Sequence, residues 1–201
     1  MCRLQQGDPA GAVKSLEEIS PRAVTNLGPD HMITLHVQRV LGRALAEKGE
    51  LARAEKLCKE TLDLRSRSQA SQEAYGTART QLTLGRVLVE QGKPEEAEPV
   101  LQAALKFFRE DPVSKPRPEL AAQAANWLGT IQLQRKDYAK AEPLLLSGSD
   151  QFFAPASDMT PSERRVAVGH IVRLYQAWEK PEQAGGWQKK LATLGPLARN
   201  P

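Results

Sequence analysis

The sequence predicts an all-α chain, a superhelix of antiparallel helix pairs stacked side by side, and three observations predict it. First, its 201 residues are 40% hydrophobic and 26% charged but only 5% aromatic, so the core is built mainly from Leu, Ala and Val, which suits closely packed helices. Second, Leu41-Gly42-Arg43, Leu84-Gly85-Arg86 and Leu128-Gly129-Thr130 recur with their glycines 43 and 44 residues apart. Third, 12 residues after each glycine stands an Ala-Glu pair, Ala54-Glu55, Ala97-Glu98 and Ala141-Glu142, at the same spacing.

Residues 1–201 therefore read as a single array. A partial unit covers 1–26, full units cover about 31–67, 73–110 and 117–153, and a closing helix pair covers 161–198. In the partial unit Gly7-Asp8-Pro9-Ala10-Gly11-Ala12 aligns with Gly49-Glu50-Leu51-Ala52-Arg53-Ala54, which leaves only residues 1–6 for its leading helix. The chain is thus expected to begin inside a repeat, as a piece of a longer protein. In the full units the first helices carry apolar residues at helical spacing, as in Val37, Leu41, Ala44 and Leu45, and the closing pair repeats this with Ala167, Ile171, Leu174 and Tyr175. The second helices follow the same pattern, with Ala54, Leu57, Cys58, Thr61 and Leu62 matching Ala97, Val100, Leu101, Ala104 and Leu105. Turns are expected near Gly49, Gly92, Lys136 and Glu179.

Several residues mark helix ends. Pro94 and Pro181 suit a first helical turn, where the missing N–H costs nothing. Thr160-Pro161-Ser162-Glu163 has the form of a capping box. Pro99 and Pro143 fall just over one turn inside their helices, where a slight bend is expected, and their equivalent positions make them a feature of the repeat.

The Leu-Gly, Gly and Ala-Glu-Pro pattern resembles a tetratricopeptide repeat, and its long spacing is similar to the kinesin-light-chain subtype. Leu27-Gly28-Pro29-Asp30-His31 followed by Thr34-Leu35 resembles the inter-repeat signature of that subtype, although Met32-Ile33 departs from it. The segment from Arg173-Leu174-Tyr175 to Trp187-Gln188-Lys189-Lys190-Leu191 further resembles the closing part of repeat regions attached to bacterial serine/threonine kinases. Gly185-Gly186 is not a phosphate loop, and neither His-Arg-Asp nor Asp-Phe-Gly occurs. The resemblance implies a non-catalytic scaffold that binds a peptide or partner protein on its concave wall. The alternative is a structural, oligomerising or regulatory module of a larger protein such as a kinase.

Other chemistries find little support in the residues. Cys2 and Cys58 cannot form a disulfide framework, and with His31, His36 and His170 they show no metal-ligand spacing, so no metal and no cofactor are expected. Neither thiol has a suggestively placed histidine, and no Gly-x-Ser-x-Gly elbow occurs, so an enzyme is not expected. A net charge of +4, with 28 basic against 24 acidic residues, permits an acidic partner but not a dedicated nucleic-acid binder. No signal-like start or long apolar span is present, so no membrane contact is expected and the location is taken as cytoplasmic.

Candidate contacts lie on the first helices. Arg43, Arg86 and Arg173 hold one place in their units, with Arg39 and Arg79 a turn or two upstream and Thr130 interrupting the series. They read either as a guanidinium ladder for carboxylates or phosphates, or as a solvated face paired to Glu47 and Glu90 one turn on. Asn126 and Trp127 hold a groove position too, where the tryptophan either anchors a peptide or packs between helices.

Overall fold

A computed structural model describes residues 3–67, 73–110, 117–154 and 159–195. Among these residues there are nine α-helices, two short 3-10 turns and no strand. The helices are α1 (Pro9–Leu27), α2 (Met32–Lys48), α3 (Leu51–Arg67), α4 (Glu73–Glu90), α5 (Pro94–Glu110), α6 (Pro118–Gln134), α7 (Tyr138–Leu146), α8 (Pro161–Ala177) and α9 (Pro181–Thr193). Residues 1–6 were expected to keep a stub of helix, and there Arg3–Gln6 form a single 3-10 turn.

Several helix ends have a local cause. Asp8 accepts a hydrogen bond from the Gly11 N–H at 2.7 Å and opens α1. At α8 both halves of the capping box form: the Glu163 N–H donates to Thr160 Oγ1 at 3.1 Å and the Thr160 N–H donates to Glu163 Oε2 at 2.9 Å. The four expected turns all use the left-handed region, with φ of 87° at Gly49, 75° at Gly92, 60° at Lys136 and 56° at Glu179. Pro99 and Pro143 lie inside α5 and α7.

The repeated small residues set the packing distance within each pair. A Cβ added at Gly85 would stand 2.4 Å from Leu101 Cγ, and one at Gly129 would stand 2.6 Å from Leu145 Cγ. The glycine is therefore the notch into which a leucine of the second helix inserts. One turn before Cys58, Leu101 and Leu145, the residues that meet the three glycines, Ala54, Ala97 and Ala141 are completely buried. Neighbouring units join where the second helix of one packs on the first helix of the next, α3 on α4, α5 on α6 and α7 on α8, and the first helices also meet, α2 with α4, α4 with α6 and α6 with α8. Those four first helices form one wall, from which Arg43 and Arg86, the residues after two of the repeat glycines, project, while Thr130 after the third is buried.

Candidate functional site

The wall holds a cleft between α2, α4, α6 and α8. Arg39 and Arg43 enter it from α2, Arg79 and Arg86 from α4, and Asn126 and Trp127 from α6. Six of the seven candidates thus line one cleft. Arg173 does not: it is exposed, although its charge reaches the buried His170.

Sequence reasoning missed the residue that closes the cleft. Glu163, at the N-terminus of α8, accepts from Arg43 Nε at 2.8 Å and from Arg43 Nη2 at 2.5 Å. This is a two-pronged pair across 120 residues of chain. Arg86 Nη1 lies 3.8 Å from the same carboxylate, while Arg86 Nε donates to Glu90 at 3.0 Å, the local pair expected one turn on. Burial alone would raise the Glu163 pKa, but the charges of Arg43 and Arg86 outweigh it and hold the carboxylate below its usual range.

Glu47 is the second carboxylate of this network. Its Oε1 stands 3.6 Å from Arg43 Nε, within ion-pair range yet with no hydrogen-bond partner. Its Oε2 accepts from the Thr160 hydroxyl at 3.1 Å. Burial, and then repulsion from Glu163, push its pKa up to about 7 against the pull of Arg43 and Arg86. Two carboxylates and two guanidinium groups thereby tie α2, α4 and α8 together.

The cleft floor is packed as well as polar. Trp127 is 8% exposed, stacks edge-on against the His170 ring at 4.8 Å and carries the Arg86 guanidinium 5.9 Å from its ring centroid. The tryptophan therefore packs between helices while one face still borders the cleft. Asn126 is committed to the α6–α8 contact, donating to the Ala167 carbonyl at 3.0 Å and lying 2.7 Å from His170 Nδ1. Burial, and then the charges of Arg173 and Arg86, drive the His170 pKa down to about 3, so the ring is a neutral hydrogen-bonding group at any ordinary pH.

Cys58 lies under Gly42, and burial pushes its thiol up to about 12. Cys2 lies outside the described residues. Among the described residues no three His, Cys, Asp or Glu side chains gather as metal ligands, and no helix is long and apolar enough to cross a membrane.

Two family models, both described as tetratricopeptide repeat, match residues 45–110 and 82–152. The chain is a tetratricopeptide-repeat protein. No curated protein matches it. Among solved structures it is similar to a Podosopora anserina protein assigned as a kinesin light chain with nearly identical TPR-like repeats. The likeness to that protein is 18% identity over 98% of this chain and 92% of the other, with a TM-score of 0.60. A substituted form of the same protein gives 19% identity over 95% and 88% of the two chains, with a TM-score of 0.62. BtubC (BKLC) from P. vanneervenii is similar at 18% identity and a TM-score of 0.66, covering 99% of this chain and 79% of its own. At such identities the likeness concerns the fold, a TPR solenoid of the kinesin-light-chain kind. TPR arrays are protein-interaction scaffolds, and the repeats mark this chain as one.

Proposed function

We propose that this scaffold holds an acidic peptide segment in the cleft walled by Arg39, Arg43, Arg79 and Arg86, and that it catalyses no reaction. One observation carries the reading: four arginines from two helices face one concavity, and a carboxylate of the chain itself, Glu163, already sits on two of them. Guanidinium groups at a partly enclosed surface focus positive potential and pair with carboxylates through fixed forks.

The test is fluorescence anisotropy of a labelled acidic peptide against the protein over a range of salt. Binding should weaken steadily as ionic strength rises, and Arg79→Gln should weaken it by about fivefold or more at low salt, because Arg79 stands at the half-buried mouth of the cleft. Binding that ignores both salt and this substitution would move the ligand to another face. A second reading, self-association or packing on another domain, rests on Ile19 of α1 and on Leu27, Met32 and Ile33 at the α1–α2 junction, each more than 40% exposed. Sedimentation velocity separates the two, since a monomer at all concentrations removes self-association.

A further inference from the structure

Two of the four cleft arginines are more than nine-tenths buried, Arg86 at 8% exposure and Arg39 at 6%, and the rest of the chain treats them differently. Arg86 has two carboxylates near it, Glu90 at 3.0 Å and Glu163 at 3.8 Å. The other two arginines are engaged as well. Arg43 is held in its fork by Glu163 with Glu47 alongside, and Arg79 donates to the Tyr75 hydroxyl at 3.2 Å. Arg39 has no carboxylate among the described residues: its hydrogen-bonding neighbour is His36, 3.4 Å away, a ring that carries no negative charge. Burial first, and then the repulsion of Arg79 and Arg43, bring its pKa down to about 9, which still leaves it a cation at neutral pH.

A buried guanidinium without a counter-charge costs the fold stability, because water is stripped from it and no acceptor of opposite charge replaces the water. Arg39 is not sealed inside the core, however: it lines the cleft, where a ligand can reach it. Perturbed charges of this kind mark places where a partner enters. The cleft itself shows what satisfies such a group, since Glu163 meets the Arg43 fork with a single carboxylate. On the same count Arg39 calls for one carboxylate from outside the chain. The second charge of a doubly charged group would fall among arginines already engaged by Glu163, Glu90 and Tyr75.

We propose that Arg39 is the anchoring residue of the cleft and that the bound segment presents to it one acidic side chain, an aspartate or a glutamate. Arg43 and Arg86 then hold the wall together through Glu163 and take no second carboxylate. This role rests on the acidic-segment reading of the cleft, and adds to it the number of charges recognised and the residue that recognises them.

The test is fluorescence anisotropy with labelled peptides of one length, acetylated and amidated at their ends, that carry one glutamate, several glutamates or none. At moderate salt the one-glutamate peptide should bind at least about tenfold more tightly than the glutamate-free one and within about fivefold of the many-glutamate one, which has more ways of placing a carboxylate but no further use for its charge. Arg39→Met should bind the one-glutamate peptide at least about tenfold more weakly while melting at or above the wild-type temperature, because methionine keeps the buried stem and removes the unanswered charge. Arg39→Lys keeps the charge and loses the fork, so its affinity should fall by about threefold or more. Wild-type affinity in Arg39→Met, or a many-glutamate peptide that binds where the one-glutamate peptide does not, overturns the anchoring role and leaves the acidic-segment reading standing. Failure of every peptide to bind overturns both. Where Arg39→Met melts well below the wild type, the lysine variant decides: weakened binding upholds the role, and unchanged binding assigns Arg39 to packing and overturns it.

Discussion

Replacing Glu47 by glutamine should stabilise the protein at alkaline pH and leave it nearly unchanged at acidic pH. Glu47 is buried beside Glu163, with its Oε1 lacking a hydrogen bond, and its pKa is raised from 4.5 to about 7. The native site thus holds a proton more tightly than the unfolded chain does. The stability contributed by this protonation is fully present below pH 4.5 and is lost as pH rises through 7. A shift of this size corresponds to at most about 3 kcal/mol, at about 1.4 kcal/mol per unit. Glutamine keeps an acceptor for the Thr160 hydroxyl and adds N–H donors beside the Glu163 carboxylate. Thermal unfolding followed by circular dichroism at pH 5 and pH 8 reads the effect. The expected gain at pH 8 is about 1 to 3 kcal/mol, or roughly 2 to 10 °C for a chain of this length. Glu47→Gln melting below the wild type at pH 8 would mean that the ionised carboxylate is a net stabilising partner of Arg43, and the raised pKa would be refuted.

Three further outcomes follow from the geometry. Ala97→Leu should cost about 1 to 3 kcal/mol by overpacking a fully buried contact, read as a lower chemical-denaturation midpoint; an unchanged midpoint would contradict the helix-pair register. Glu163→Ala leaves the half-buried Arg43 without its two-pronged partner and should destabilise by about 1 to 3 kcal/mol, with the loss greatest above the ordinary carboxylate value of 4.5; equal melting of variant and wild type at pH 7 would contradict the network. Hydrogen exchange should be faster in residues 9–26 of α1 than around Leu84 and Leu128, since α1 leaves Ile19 exposed while the central helices are packed on both sides; equal protection would point to another surface covering α1.

Much of the fold was legible because short-range rules govern it. The Leu-Gly and Ala-Glu anchors located the notch and the buried alanine one turn before the residue that fills it, and Gly49, Gly92, Lys136 and Glu179 marked turns because a change of chain direction there requires positive φ. The capping box at Thr160 and Glu163 was legible for the same reason. What could not be read was the second use of Glu163. Its contact with Arg43 depends on how far the wall of first helices curls over four units, and that angle accumulates from small rotations that no local pattern encodes. The curl also separates Arg173 from Arg43 and Arg86 despite their shared place in the unit, since the closing helix enters the cleft by its N-terminus and Arg173 lies about three turns further along. The sequence places Asn126 on the wall but does not show that the histidine of the next unit engages its side chain.

The central claim is that the arginine cleft is the face on which this scaffold holds its ligand. Arginine Nε–Hε resonances report on each guanidinium separately, so the most direct test is a titration of the isotopically labelled protein with an acidic peptide, followed by NMR at low salt. The shifts should concentrate on Arg39, Arg43, Arg79, Arg86 and the Trp127 indole, and they should fade as salt is added. Shifts that instead fall on the exposed Arg109 and Arg173 while the cleft resonances stay fixed would contradict it.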